Sequence, residues 1–322
     1  MTRKPALGVA MVLASGTLFA VNGTVSKLVL RAGIEPPQLA FLRAAGAVLG
    51  LLAIMLVLGR GRRLAVTRRE LPLLIVYGLA GFFLVPMLYF AAISRLPVGI
   101  ALLFEYTAPI FVALWVRFGQ RQPVRPRLWG GLALSLAGLA CVAQVWGDLS
   151  LDGLGVLAAL GAAVLLALYY LLGAHGVARR DTLSLTTWAF GAAAVAGLLT
   201  QAVAPARGGW APLGEATSGG VPIALLCGYV VVLGSIAPYL LIAAALRHLP
   251  ATSVGIIGMI EPVLASAVAW ITLGGSEALN TAQLAGGALV LAGVALAETA
   301  RVGAQRPARA EAQESAVAVP TG

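Results

Sequence analysis

The chain has 322 residues, 60% of them hydrophobic and only 11% charged, where soluble domains carry about 25% charged residues, and its mean hydropathy is +0.95. That composition excludes a soluble enzyme or binding domain and points to an integral membrane protein. The formal charge of +10 would suit a nucleic-acid partner, but the basic residues fall in short connections between apolar runs rather than on one soluble face, which excludes that partner.

Ten apolar runs follow one another, each near the roughly 20 residues a helix needs to cross the hydrocarbon of a bilayer. They are Leu7–Val29, Leu39–Leu58, Leu71–Ile93, Val98–Phe118, Leu128–Trp146, Gly153–Gly173, Leu183–Ala204, Val221–Leu246, Ala251–Leu273 and Thr281–Thr299. None alternates as a barrel strand does, and in lipid the helix is then the way left to satisfy the backbone. The expected fold is all-α, an integral membrane protein with ten transmembrane helices. Met1–Ala20 begins like a leader peptide, yet its apolar run continues to Val29 without a small-residue cleavage site and reads as the first helix. Of the 22 lysines and arginines, seventeen lie on one side if the N-terminus is cytoplasmic. Lys27, Arg31, Arg95 and Arg207 lie on the other, and Arg43 lies within the second span. This bias places both termini in the cytoplasm. Cys141 and Cys227 fall inside spans as packing residues and make neither a disulfide framework nor a metal site.

The chain also repeats itself. "SRLPVGIALLFEYTAPI" (Ser94–Ile110) and "RHLPATSVGIIGMIEPV" (Arg247–Val263) share a Leu-Pro start and a second proline twelve residues on, at an offset of 153. "GLALSLAG" (Gly131–Gly138) matches "GGALVLAG" (Gly286–Gly293) at six of eight positions, and Gly8 and Ala20 match Gly155 and Ala167 at an offset of 147. The expected organisation is two five-helix halves, 1–149 and 150–300, followed by a disordered cytoplasmic tail, 301–322. Five is odd, so the halves enter the membrane from opposite sides and form inverted repeats, an architecture at home in secondary transporters that bind substrate near the midplane.

Polar groups inside the spans are the candidate functional residues, because a charge at the bilayer centre is kept only with a partner or a cavity. In chain order, Asn22 either lines a cavity or bonds a neighbouring helix. Arg43 snorkels outward, pairs with an acid, or meets substrate. Glu105 and Glu261 stand about mid-depth, eight and eleven residues into their spans, and under the repeat they occupy neighbouring levels of equivalent helices. A carboxyl in such a setting can exchange a proton near neutral pH, which makes these two the proton-coupling and cavity residues. Each precedes a proline, Pro109 or Pro262, that removes a backbone donor and clashes with the carbonyl four residues back, so both helices should bend or break beside the acids. Tyr89, Tyr106, Tyr169 and Tyr239 offer a ring and a hydroxyl each and can wall a pocket or fill the core. Trp115, Trp129, Trp146 and Trp270 fit interfacial belts. His175 and His248 have no second ligand near them in sequence, and no phosphate-binding glycine loop or nucleophile cluster is present, so neither a metal, a cofactor, ATP-driven transport nor a catalytic residue is expected.

The runs "LPVGIALLFEYTAPIFVALW" and "LPATSVGIIGMIEPVLASAVAW", within ten spans in two repeats, resemble the EamA-type family of the drug/metabolite transporter superfamily, and the first run is most similar to its threonine/homoserine exporter group. The resemblance spans residues 7–300. Carried over position by position, Glu105 and Pro109 match the fourth-span motif, Glu261 and Pro262 the ninth, and Arg43 an arginine early in the second span. It implies a multi-pass transporter of the bacterial inner membrane that exports an amino acid or similar small metabolite by alternating access, coupled to protons, with the bilayer, protons and a small-molecule substrate as partners. Whether it works as a monomer or a homodimer stays open. Efflux of lipophilic cations is the alternative within the same fold, and a membrane-embedded enzyme the alternative outside it.

Overall fold

The computed structural model describes residues 4–146, 152–203, 209–217, 220–273 and 281–317. Among these residues the fold is all helix. The helices are α1 (Pro5–Arg31), α2 (Pro36–Val57), α3 (Leu71–Arg95), α4 (Val98–Gly119), α5 (Pro126–Val142), α6 (Gly153–Arg179), α7 (Thr182–Val203), α8 (Ile223–Ala245), α9 (Ala251–Gly258 and Glu261–Leu273) and α10 (Thr281–Val317). Eight of them, among the described residues, are long and apolar enough to cross a membrane; α5 and the apolar stretch Ala251–Ala265 of α9 are shorter. Each expected span coincides with a helix, and the differences have local causes. Helix α5 stops at Val142 rather than Trp146 because Gln144 takes a left-handed conformation, φ 52°, a common way to end a helix. Helix α6 runs on to Arg179. Helix α10 continues to Val317, through most of the segment read as a disordered tail; alanine, glutamate, glutamine and arginine dominate that segment and are strong helix formers. The boundary between the expected halves falls at 147–151, outside the described residues, as does Arg207.

Helix starts follow from sequence. Pro5, Pro36 and Pro126 stand in first turns, where proline lacks only a donor the helix would leave unpaired anyway. Before α2, the Glu35 N–H donates to Gln38 Oε1 at 2.8 Å within a capping box. Before α6, the Asp152 carboxylate accepts from the Gly155 N–H at 2.8 Å. That bond holds the Asp152 carboxyl below the usual carboxylate range, with Arg95 adding to the effect. A depressed folded value stabilises the helix above the ordinary carboxylate pKa of about 3.9 and ceases to do so as pH falls through the folded value. Asp152→Ala is therefore expected to lower the thermal unfolding midpoint at pH 7, and the gap from wild type should close on acidification. A constant gap across that pH range would contradict the capping role.

Three places depart from α geometry. Residues Gly78–Leu84 of α3, Val232–Ile236 of α8 and Trp115–Gly119 of α4 wind as π-helix. The first two come just before prolines in the next turn, Pro86 and Pro238, and a proline disfavours the carbonyl four residues back as an acceptor. Helices α4 and α9 break outright at Tyr106–Thr107 and Met259–Ile260, with i→i−3 bonds in the gaps: the Thr107 N–H donates to Phe104 O and the Ile260 N–H to Ile257 O, both at 3.1 Å. Pro109 and Pro262 sit one residue into the helices that resume. Both breaks fall where the sequence pattern expects distortion.

Packing between the two stretches of the repeat is reciprocal. Gly131 of α5 lies against Gly293 and Ala297 of α10, and Gly138 lies against Gly286 and Val290, so the matching octapeptides cross each other antiparallel. Likewise Gly8 packs on Leu249, and its counterpart Gly155 packs on Leu96. A residue touching its partner's counterpart, and the converse, is the pattern of a two-fold contact. At the α5/α10 crossing the backbones approach so closely that a Cβ on Gly286 would stand 2.6 Å from Gly138 O and 2.8 Å from Val142 N. Neither atom can rotate away. Gly286→Val is expected to destabilise by about 1–3 kcal/mol, read as a lower temperature of half-aggregation in detergent. Gly228→Ala, where an added Cβ meets nothing within 4 Å, serves as the neutral control.

Helices α5, α7 and α10 stand outside. The other seven line a central cavity.

Candidate functional site

The central cavity has a volume of about 90 Å³, and Asn22, Arg43, Tyr89, Glu105, Tyr106, Tyr169, Tyr239 and Glu261 all line it. Pro109 and Pro262 do not reach it; they act on it through the helix breaks beside the acids.

Glu105 ends the first segment of α4 and is buried, while Glu261 opens the second segment of α9 and is half-buried. The acids thus flank equivalent breaks from opposite sides. The Tyr106 hydroxyl, from the gap in α4, donates to Glu261 Oε2 and ties the two broken helices together. Gly258 at the other break faces Tyr106 and Tyr170, and a Cβ there would meet their rings and hydroxyls at 3.5 Å or more. Tyr89 comes close to Gly23 on α1, a Cβ at Gly23 standing 3.0 Å from its hydroxyl.

Arg43 takes a different position from either structural alternative weighed for it. It does not snorkel, being 2% exposed, and no ion pair holds it among the described residues. Its Nε–H donates to Ser235 Oγ at 2.9 Å and an Nη1–H donates to Phe82 O at 3.0 Å. Both acceptors belong to π-helical stretches, Phe82 to that of α3 and Ser235 to that of α8. Phe82 lies four residues before Pro86, so the carbonyl that the proline leaves free is the one that accepts from the guanidinium. The cation also lies 5.1 Å from the Tyr239 ring centre and 5.7 Å from that of Phe190, a favourable arrangement for guanidinium over aromatic faces. Tyr239 is fixed in turn by donating to Gly81 O at 3.2 Å.

Around this end of the cavity the rings of Tyr77, Phe82, Tyr169, Phe190 and Tyr239 pack edge-on, tilted or stacked, with centres 4.5–5.8 Å apart. Asn22 is buried, accepts from Ser26 Oγ at 3.5 Å and faces Gly234, so it lines the cavity and bonds its own helix. Lys27 is half-buried and donates to Leu96 O at 3.4 Å. Trp115 and Trp146 are exposed, as belt residues are, and the Trp270 side chain lies outside the described residues.

Sequence reasoning missed Ser235, Phe82 and Gly234. The signal for them was present in "LVPMLY" and "SIAPYL": Pro86 and Pro238 stand 152 residues apart, close to the offset of the other repeated prolines.

A multi-pass helical membrane protein whose core holds a cavity carrying two carboxyls and a guanidinium, walled by broken and π-helical segments, has the architecture of a membrane transporter. The EamA-like transporter family model matches this chain twice, over residues 6–144 and 153–299. The chain belongs to that family, within the drug/metabolite superfamily. It is 33% identical to the threonine/homoserine exporter RhtA of Escherichia coli K12 over 223 residues, 66% of this chain and 67% of the relative. To an uncharacterized transporter of Archaeoglobus fulgidus it is 29% identical over 292 residues, 90% of this chain and 96% of the relative. A crystal structure sharing 19% identity superposes with a TM-score of 0.73 over 92% of this chain and 99% of the other, which establishes the shared fold.

Proposed function

We propose that this protein is a secondary active exporter of small metabolites, amino acids foremost, that runs on the proton gradient of a bacterial inner membrane. Ten spans arranged as two inverted five-helix halves would alternate access to the central cavity, with both termini in the cytoplasm. The observation that carries this reading is the meeting, in one buried cavity, of two carboxyls set beside equivalent helix breaks in the two halves. The twofold match of the family model and the reciprocal α5/α10 contact support the repeat, and the likeness to an exporter of threonine and homoserine supports the substrate class. Glu105 and Glu261 carry protons; substrate and proton compete for the cavity, so protons entering from outside drive substrate out. Purified protein in proteoliposomes tests this: an imposed pH gradient should move labelled L-amino acids against their concentration gradient, and the gradient should dissipate faster when substrate is present. Amino-acid flux that ignores the pH gradient would refute the coupling.

A second reading, efflux of lipophilic cations, has one observation in its favour, the aromatic cluster beside the cavity. The same vesicles loaded with a quaternary aryl cation distinguish it.

A further inference from the structure

Among the described residues, the cation in the cavity has no ion-pair partner. Arg43 is buried at 2% exposure, and its guanidinium donates to the Ser235 hydroxyl and the Phe82 carbonyl with the Tyr239 hydroxyl also within reach, all of them neutral groups. These bonds use two of the five N–H donors of its guanidinium. Both acceptors are neutral and need donors but no charge, so bracing α3 against α8 does not by itself account for a buried cation. The acids that share the cavity sit elsewhere: α2 packs chiefly on α7, α8 and α3, whereas the broken helices α4 and α9 pack chiefly on α6, on α1 and on each other. Cation and acids therefore reach the same space from different helices, with no ion pair between them among the described residues. A planar fork of donors held still by two hydrogen bonds and two aromatic faces is shaped for a carboxylate, which it can meet with two parallel bonds.

We infer that Arg43 is the carboxylate anchor of the transport site, and that the cavity takes an α-amino acid as its zwitterion, carboxylate on Arg43 and ammonium toward Glu105 and Glu261. This rests on the amino-acid reading above and adds the polarity with which the substrate lies. Ser235, Phe82 and Tyr239 position the guanidinium, so the π-helical turns of α3 and α8 serve the substrate site directly.

Binding of matched ligands to the purified full-length protein, followed by calorimetry, tests the pose. The probes are a panel of L-amino acids including threonine and homoserine, their α-amides, and the corresponding decarboxylated amines. Wild type should bind the acids and lose roughly 10- to 150-fold on going to the amides, the worth of a hydrogen bond to a charged group. Arg43→Gln should weaken the acids down to the level of the amides while leaving amide affinity in place, and Arg43→Lys, the milder variant should the first fail to fold, should keep part of the preference. If Arg43 only braces the helices, its replacement weakens acids and amides alike and their ratio holds, which overturns the inference. Equal binding of acids and amides by wild type also overturns it and leaves amino-acid export standing. Binding of the amines alone, with neither acids nor amides, would sink the amino-acid reading and the inference together.

Discussion

Glu105→Gln is expected to reduce pH-driven amino-acid accumulation in proteoliposomes to the leak rate of empty vesicles, while exchange of labelled for unlabelled substrate at equal pH continues. Glutamine matches glutamate in size and hydrogen-bonding reach but cannot gain and lose a proton, so it severs the link between the two fluxes without emptying the cavity. Glu261→Gln removes the other carboxyl, and here the amide oxygen can still accept from Tyr106, so the tie between α4 and α9 survives. A protein that needs both acids loses coupling in either variant; one that uses Glu261 mainly to hold Tyr106 loses it only in the first. Tyr106→Phe separates these cases, since it removes the tie and leaves both carboxyls. A charge at mid-membrane costs about 2.5–3.5 kcal/mol on insertion scales, so both glutamine variants should insert at least as well as wild type. Undiminished pH-driven accumulation in both would end the case for proton carriage by these residues.

Much of this architecture was legible in the sequence because lipid imposes its own simple rule: a buried backbone must pair with itself over a fixed thickness. The apolar runs therefore located the helices, and charges inside those runs located the cavity. The repeated Leu-Pro and proline pattern foretold the breaks in α4 and α9. What was not legible is where freed carbonyls go. Arg43 was expected to find an acid, the membrane surface or substrate, and the partners it has within the protein are Phe82 O and Ser235 Oγ, both on stretches where two other helices wind as π-helix. Hydropathy is silent about such windings, since Gly78–Leu84 and Val232–Ile236 are as apolar as the α-helix around them. The glycine octapeptides showed a repeat in sequence but not that its copies would cross one another.

Mending the two breaks should slow the transporter without unfolding it. In Pro109→Ala with Pro262→Ala, each helix regains a backbone donor and loses the ring that clashes with the carbonyl of Glu105 or Gly258, so α4 and α9 can run continuously past the acids. Each new hydrogen bond contributes about 0.5–1.5 kcal/mol. Against it stands the lost packing of the proline ring, which at Pro109 lies beside Gly255, and the greater freedom of the unfolded chain once proline is gone, about 0.4–1 kcal/mol. These terms oppose one another, and the melting behaviour of the double variant should stay close to wild type. Turnover should not. If α4 and α9 must bend at 106–107 and 259–260 whenever access alternates, two added bonds have to break in every cycle, and the barrier rises by their sum, roughly 5- to 150-fold in rate. Substrate affinity at equilibrium should change far less than turnover, because the mended bonds lie in the helices and not in the contacts with ligand. Exchange rates measured in proteoliposomes beside calorimetric affinities give both numbers from one preparation. Wild-type turnover in the double variant would show that the breaks are fixed features of the cavity wall and that the movement of the halves has its hinges elsewhere.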